Sequence, residues 1–124
     1  MQHHRGRLID HIHLRVPDLP AAKRFYRAGL AELGVPIASD QADHLAADEL
    51  WLDGADSGPC TGRVHLAFRA ADRATVERFH RAALAAGGRD NGAPGERPYA
   101  PGYYAAFVLD PAGNNIEAVH HGGR

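Results

Sequence analysis

The sequence has only one cysteine, Cys60, and no long run of apolar residues. A single cysteine cannot form a disulfide bond within the chain, so nothing in the composition indicates an oxidising compartment. No stretch is long and apolar enough to span a membrane, and residues 1–7 lack the apolar core of a signal peptide. We therefore predict a cytoplasmic protein that has no membrane partner.

A large excess of charge of one sign is also absent. The 14 Lys and Arg residues nearly balance the 15 Asp and Glu residues, and the two signs are interleaved along the chain. A nucleic-acid-binding surface needs clustered Lys and Arg side chains to contact phosphates, so we expect no nucleic-acid partner. The length of 124 residues suits one domain, or two small modules that share a core.

Histidine, in contrast, is abundant, with nine residues. His3 and His4 lie in a polar N-terminal tail and are predicted to be solvated. A shift of 54 positions aligns residues 11–34 with residues 65–88 without a gap, so the chain consists of two related halves. Ten of these 24 positions are identical, and the identities include the pairs His11/His65, Asp18/Asp72, Phe25/Phe79 and Gly34/Gly88.

Each half shows the same order of predicted elements. A strand with alternating apolar residues comes first, over 8–16 or 64–70. Asp18 or Asp72 then provides the N-cap of a helix, which ends at a glycine. Shorter strands follow, most clearly over residues 49–53, 103–109 and 115–121.

Two repeats of strand, helix and strands predict an α+β fold within a single domain, 1–124. The first module covers 7–55, a linker covers 56–62, and the second module covers 63–121. Because neither sheet can bury its inner face alone, the two sheets are expected to face each other or a second chain, with a groove between them. Residues 91–102, rich in proline and glycine, are predicted to form an ordered loop.

Three side chains suggest a metal site. His11 and His65 occupy matching places on the first strand of each half, and Glu117 interrupts an apolar strand. A divalent metal needs imidazoles and an anionic oxygen. For a single strand histidine, solvation or a hydrogen bond is the commoner role, but the matched pair favours a metal.

The other histidines have other predicted roles. His13 shares a face with His11 and is expected to be a pocket base, a hydrogen-bond donor or a packing residue. His44, His80, His120 and His121 are predicted to be surface residues.

Three segments carry a resemblance to a known family. The run DHIHLRVPD at 10–18 resembles the opening strand of glyoxalase I and of fosfomycin-resistance thiol transferases. The run VHLAF at 64–68 resembles the strand that carries the second metal ligand, and DPAGNNIE at 110–117 resembles the hairpin that ends in the third. The sequence is therefore similar to the glyoxalase/bleomycin resistance/dioxygenase (vicinal oxygen chelate) superfamily over nearly its whole length.

The resemblance implies two βαβββ modules, a homodimer, and His11, His65 and Glu117 as ligands of Fe, Mn, Ni or Zn. Whether one chain or two chains supply each site stays open. Where glyoxalase I has a fourth ligand, a glutamate that acts as base, this sequence has Trp51. A tryptophan cannot act as a base, so the resemblance does not extend to that part of the lyase mechanism.

The function expected from this resemblance is a metal-dependent enzyme, a lyase or an oxygenase, that acts on a small oxygenated molecule. Glu117 and His13 are its predicted catalytic residues. Alternatives are a metal-free drug-binding protein similar to bleomycin resistance proteins, and a fosfomycin-type thiol transferase, in which a hydroxyl residue stands at the position of His13. The predicted substrate-binding residues are Trp51, Tyr103, Phe107 and Arg97.

Overall fold

The computed structural model describes residues 8–122; residues 1–7, with His3 and His4, and residues 123–124 lie outside the described part. Each half folds as one strand, one helix and three strands. The first module contains β1 (Ile12–Val16), α1 (Leu19–Glu32), β2 (Ser39–Gln41), β3 (His44–Ala47) and β4 (Leu50–Gly54), followed by a 3-10 turn at Ala55–Ser57. The second module contains β5 (His65–Arg69), α2 (Arg73–Ala85), β6 (Arg89–Glu96), β7 (Tyr103–Leu109) and β8 (Asn115–His121).

The two sheets have the same topology. Their strand orders are β1-β4-β3-β2 and β5-β8-β7-β6. The first strand of each module pairs in parallel with the last, and the other neighbours are antiparallel. The predicted α+β fold of two βαβββ modules is confirmed.

Both helices begin where the sequence predicts. The Asp18 carboxylate accepts a hydrogen bond from the backbone N–H of Ala21 at 3.1 Å, and Asp72 accepts one from Thr75 at 2.8 Å. Each bond satisfies a backbone donor that the first helical turn leaves without a partner.

Alternation along the strands divides each sheet into two faces. Leu14 and Leu52 in the first sheet, and Val108 and Ile116 in the second, are fully buried in the hydrophobic core with the helices. Residues of the opposite parity lie on the other side, which we call the helix-free face of each sheet. All the predicted site residues that lie on strands are on these helix-free faces.

The two modules contact each other mainly through their helices. Gly29 of α1 lies so close to Phe79 of α2 that a Cβ at Gly29 would come within 2.8 Å of the ring. The buried Tyr26 hydroxyl donates to Asp110 of the second module at 2.6 Å. The helices join the modules, and the His11 and His65 side chains on the two helix-free faces are left exposed.

Two predicted elements were wrong in extent. The first strand begins at Ile12, not at residue 8, because its ladder with β4 starts at the pair Ile12 and Leu50. Half of the loop predicted over 91–102 belongs to β6. This is an edge strand, where Pro94 costs no ladder hydrogen bond, and register shifts accommodate its glycines.

Candidate functional site

On the helix-free face of the second sheet, His65 and Glu117 are in direct contact. His65 Nε2 lies 2.8 Å from Glu117 Oε1. Glu117 is only 2% exposed, although it is an acid. A buried carboxylate is costly unless it is hydrogen-bonded or paired, and the Tyr103 hydroxyl donates to its other oxygen. We call His65 and Glu117 the second-module half-site.

The phenol of Tyr103 is protonated at neutral pH. Burial and the hydrogen bond to Glu117 raise the pKa of Tyr103 to about 12, so at neutral pH the hydroxyl is a donor. Its ring contacts Tyr99 and His121 edge-on, with centroids 5.1 Å and 5.0 Å away. Through Tyr103, these aromatic rings border the half-site.

Phe107 lies on the same face, between the half-site and Arg97. Its ring centroid is 5.9 Å from that of His65, and the Arg97 guanidinium lies 5.3 Å from its centroid. Tyr104, of opposite parity, points to the helix side and donates to Glu77 of α2 at 2.7 Å. The structure therefore brings together His65, Glu117, Tyr103, Phe107 and Arg97.

The helix-free face of the first sheet carries a second polar cluster. The buried Asp53 carboxylate is 2.8 Å from His13 Nε2, and it accepts from Trp51 Nε1 at 3.2 Å and from the Ser57 hydroxyl at 2.8 Å. Burial raises the pKa of Asp53, but these hydrogen bonds outweigh burial and lower it below its ordinary value. An ionised Asp53 only accepts, so His13 Nε2 carries a proton and Nδ1 is the nitrogen left for other partners.

Trp51 is 38% exposed and stacks on the His44 ring, with centroids 4.3 Å apart. The sequence predicts that His44 and His80 lie on the surface, but their side chains are only 15% and 12% exposed. For His44 the prediction was wrong because β3 is too short for its pattern to be recognised, and His44 pairs with Asp53 across the sheet. His80 lies on α2, where its Nε2 is 3.0 Å from Asp90 Oδ1. His120 is partly buried, and His121 is exposed as expected.

The strand register shows what occupies the position equivalent to Glu117. His13 and Ala67 are equivalent, since they are 54 positions apart; His13 pairs with Trp51, whereas Ala67 pairs with Glu117. Trp51 therefore stands on the first sheet where Glu117 stands on the second. Asp53, two residues along β4, lies opposite Arg15 and is hydrogen-bonded to His13.

His11 lies just before β1, exposed, with its Nδ1 2.7 Å from Asp10. It borders a cavity of about 400 Å³ together with His13 and Trp51. Within residues 8–122, no three His, Cys, Asp or Glu side chains lie close enough together to hold a metal ion. Of the three predicted ligands, this chain brings together two, His65 and Glu117.

A larger and mainly apolar cavity, of about 500 Å³, lies between the modules. Leu30, Leu33 and Leu50 contribute from the first module, and Leu66 and Phe68 from the second. None of the predicted site residues lines it.

A sequence model of the Glyoxalase/Bleomycin resistance protein/Dioxygenase superfamily matches residues 8–118. This chain belongs to that superfamily. The match covers both modules and all the predicted site residues. No protein of curated function matches the sequence. No helix among residues 8–122 is long and apolar enough to cross a membrane.

Solved structures of the superfamily share the fold. A glyoxalase/bleomycin resistance protein from Albidiferax ferrireducens T118 is 29% identical, with a TM-score of 0.74 over 89% of this chain and 95% of that one. A glyoxalase-related enzyme from Fulvimarina pelagi is 21% identical, with a TM-score of 0.69 over 93% and 88%. A lactoylglutathione lyase from Agrobacterium tumefaciens is 22% identical, with a TM-score of 0.68 over 93% and 94%.

Proposed function

We propose that this protein is a metal-dependent enzyme that acts on a small oxygenated molecule, and that two copies of the chain form each metal site. In this proposal, His65 and Glu117 come from one copy and His11 from the other. The observation that carries the proposal is the 2.8 Å contact between His65 and the buried Glu117 carboxylate on an open sheet face.

The donor set suits a divalent cation. The 2.8 Å contact between His65 Nε2 and Glu117 Oε1 is a hydrogen bond, which needs one proton between the two side chains. His65 and Glu117 would give up this proton on holding a divalent metal, as is usual when imidazole and carboxylate become ligands. Fe, Mn, Ni and Zn all accept two imidazoles and one carboxylate.

His11 supports a homodimer with shared sites. It is exposed on the first module, away from the half-site, and the modules of one chain meet through their helices. A twofold dimer that sets the first module of one copy against the second module of the other brings two complete donor sets together. We place this dimer in the cytoplasm, where an exposed thiol such as Cys60 stays reduced.

The remaining groups have separate roles in this proposal. Polarisation of a substrate oxygen is the chemistry that the bound metal supplies. Glu117, which accepts a hydrogen bond from Tyr103, supplies the negative charge of the ligand set. Asp53 orients His13 so that its Nδ1 exchanges a proton with the substrate. Glyoxalase I chemistry with a second metal-bound carboxylate is not proposed, because Trp51 occupies that position.

Mixing two inactive variants tests the shared site. We expect His11→Ala and His65→Ala each to lose tight metal binding. After unfolding and refolding together, half the dimers are mixed, and each mixed dimer has one intact site, so about a quarter of the sites return. Metal content by plasma mass spectrometry measures this. Mixed samples that bind no more metal than the separate variants contradict the shared site, and full binding by both variants contradicts the metal site itself.

One observation favours a second candidate, a protein that sequesters an aromatic ligand without a metal. Trp51 is exposed and already stacked on His44, as in a surface that accepts planar molecules. If this is the function, a glycopeptide antibiotic with a planar aromatic portion, such as bleomycin, quenches Trp51 fluorescence equally before and after chelator treatment. If the protein is a metal enzyme, bleomycin does not quench the chelated protein.

A further inference from the structure

Arg97 lies over the row of residues that crosses the second sheet at Glu117. Strand pairing places Gly92 opposite Phe107, and Phe107 opposite Glu117. Directly opposed residues share a face, so this row leads across the helix-free face from the edge strand β6 to the half-site. The Arg97 guanidinium covers the Gly92 end of the row.

Two glycines make the space in which the guanidinium lies. A Cβ at Gly92 would come within 3.3 Å of Arg97 Nη2, and a Cβ at Gly95 within 2.9 Å of Nη1. Nη2 donates to the backbone oxygen of Ala93 at 2.7 Å, which fixes the orientation of the plane. Arg97 is thus held in place before any ligand binds.

The positive charge of Arg97 has no acidic partner in the described part of the chain. Its neighbour Glu96 pairs with Arg73 at 2.8 Å instead. Arg97 bonds only backbone oxygens and the face of Phe107, and these contacts leave guanidinium N–H groups available. A single cation beside aromatic rings suits a ligand with one negative charge and a planar body.

We propose that Arg97 binds the carboxylate of a small planar organic acid whose body lies along Phe107 toward His65. This inference rests on the proposed function, since it names the substrate class of that site. A phosphate monoester carries more negative charge at neutral pH than one guanidinium neutralises, so a singly charged carboxylate fits better. Arg97 is then a substrate-binding residue that orients the reacting end of the acid at the half-site.

The test compares three probes of similar shape: benzoate, benzamide and phenyl phosphate. Each is titrated by two-dimensional NMR into chelator-treated protein, so the outcome does not depend on bound metal. We expect benzoate to shift the Arg97 side-chain N–H and the Ala93 and His65 amides, and benzamide to leave them in place. Arg97→Gln is expected to weaken benzoate binding by about tenfold, the loss typical of a charge-assisted hydrogen bond. Arg81→Gln, the same change on the exposed side of α2, is expected to have no effect.

Equal shifts with benzamide, tighter binding of phenyl phosphate, or unchanged benzoate binding in Arg97→Gln would overturn the proposal. If Arg97→Gln fails to fold, the benzoate and benzamide titrations of the unaltered protein still decide it. Metal content is measured separately on untreated protein. Metal binding without the benzoate effect refutes only the role of Arg97, whereas benzoate binding without metal refutes only the metal-dependent enzyme.

Discussion

Replacing Glu117 with glutamine is expected to lower divalent-metal affinity by more than about 100-fold, beyond what the loss of an outer hydrogen-bond partner costs. The change keeps the shape of the side chain and removes the only anionic donor in the proposed ligand set. The Tyr103 hydroxyl still has an oxygen to donate to, so the metal-free protein should remain folded. Competition with a chelator of known affinity measures the change.

Glu77→Gln is a matched control for this experiment. Tyr103 and Tyr104 are adjacent, and each donates to a glutamate, Glu117 on the helix-free face and Glu77 on the helix side. The same substitution at Glu77 should leave metal affinity unchanged. Equal metal affinity in Glu117→Gln and the unaltered protein would end the case for a metal enzyme.

Gly88→Ala is expected to destabilise the protein by about 3 kcal/mol, the upper end of the usual cost of overpacking. A Cβ at Gly88 would lie 2.5 Å from Val108 Cγ1, 2.7 Å from Phe25 Cε1 and 2.8 Å from the backbone oxygen of Ala83. The backbone oxygen cannot move without disturbing the end of α2. The melting temperature should fall by roughly 10 °C in a domain of this size, which calorimetry measures.

Gly62→Ala gives the comparison for Gly88→Ala. Gly62 is exposed and has open space where a Cβ would lie, so its melting temperature should stay the same or rise slightly. An equal fall in both variants would mean that lost glycine flexibility, not crowding of the new Cβ against Val108, Phe25 and the Ala83 backbone, sets the cost.

The two glycines matched in the repeat show what a sequence pattern can and cannot specify. Gly34 and Gly88 both follow a helix, and the pattern correctly predicts a helix end at each. Gly34 has a φ of +76° with empty space around it, the conformation that favours glycine. Gly88 is instead required because Val108 of β7 and Phe25 of the other module fill the adjacent space, and no local pattern contains that information.

The candidate site shows the same limit. The repeat predicts that His11 and His65 are equivalent, and their places before and at the start of β1 and β5 agree with this. It does not specify whether equivalent residues face each other within one chain, because that depends on how the modules pack. Arg97 and His44 were hard to place for another reason: the adjoining strands are irregular or very short, so alternation gives little signal.

The hydrogen bond from Tyr26 to Asp110 has a consequence for how the duplicated halves have diverged. Asp110 also accepts from the backbone of Ala112 and Asn114, and so shapes the turn that leads into the strand bearing Glu117. A hydroxyl from the first half thus supports the turn before β8, the strand that carries the candidate site residue Glu117. The halves are therefore not interchangeable copies: a chain made of two second halves would have His80 at the place of Tyr26 and would lack the hydrogen bond that Tyr26 donates to Asp110.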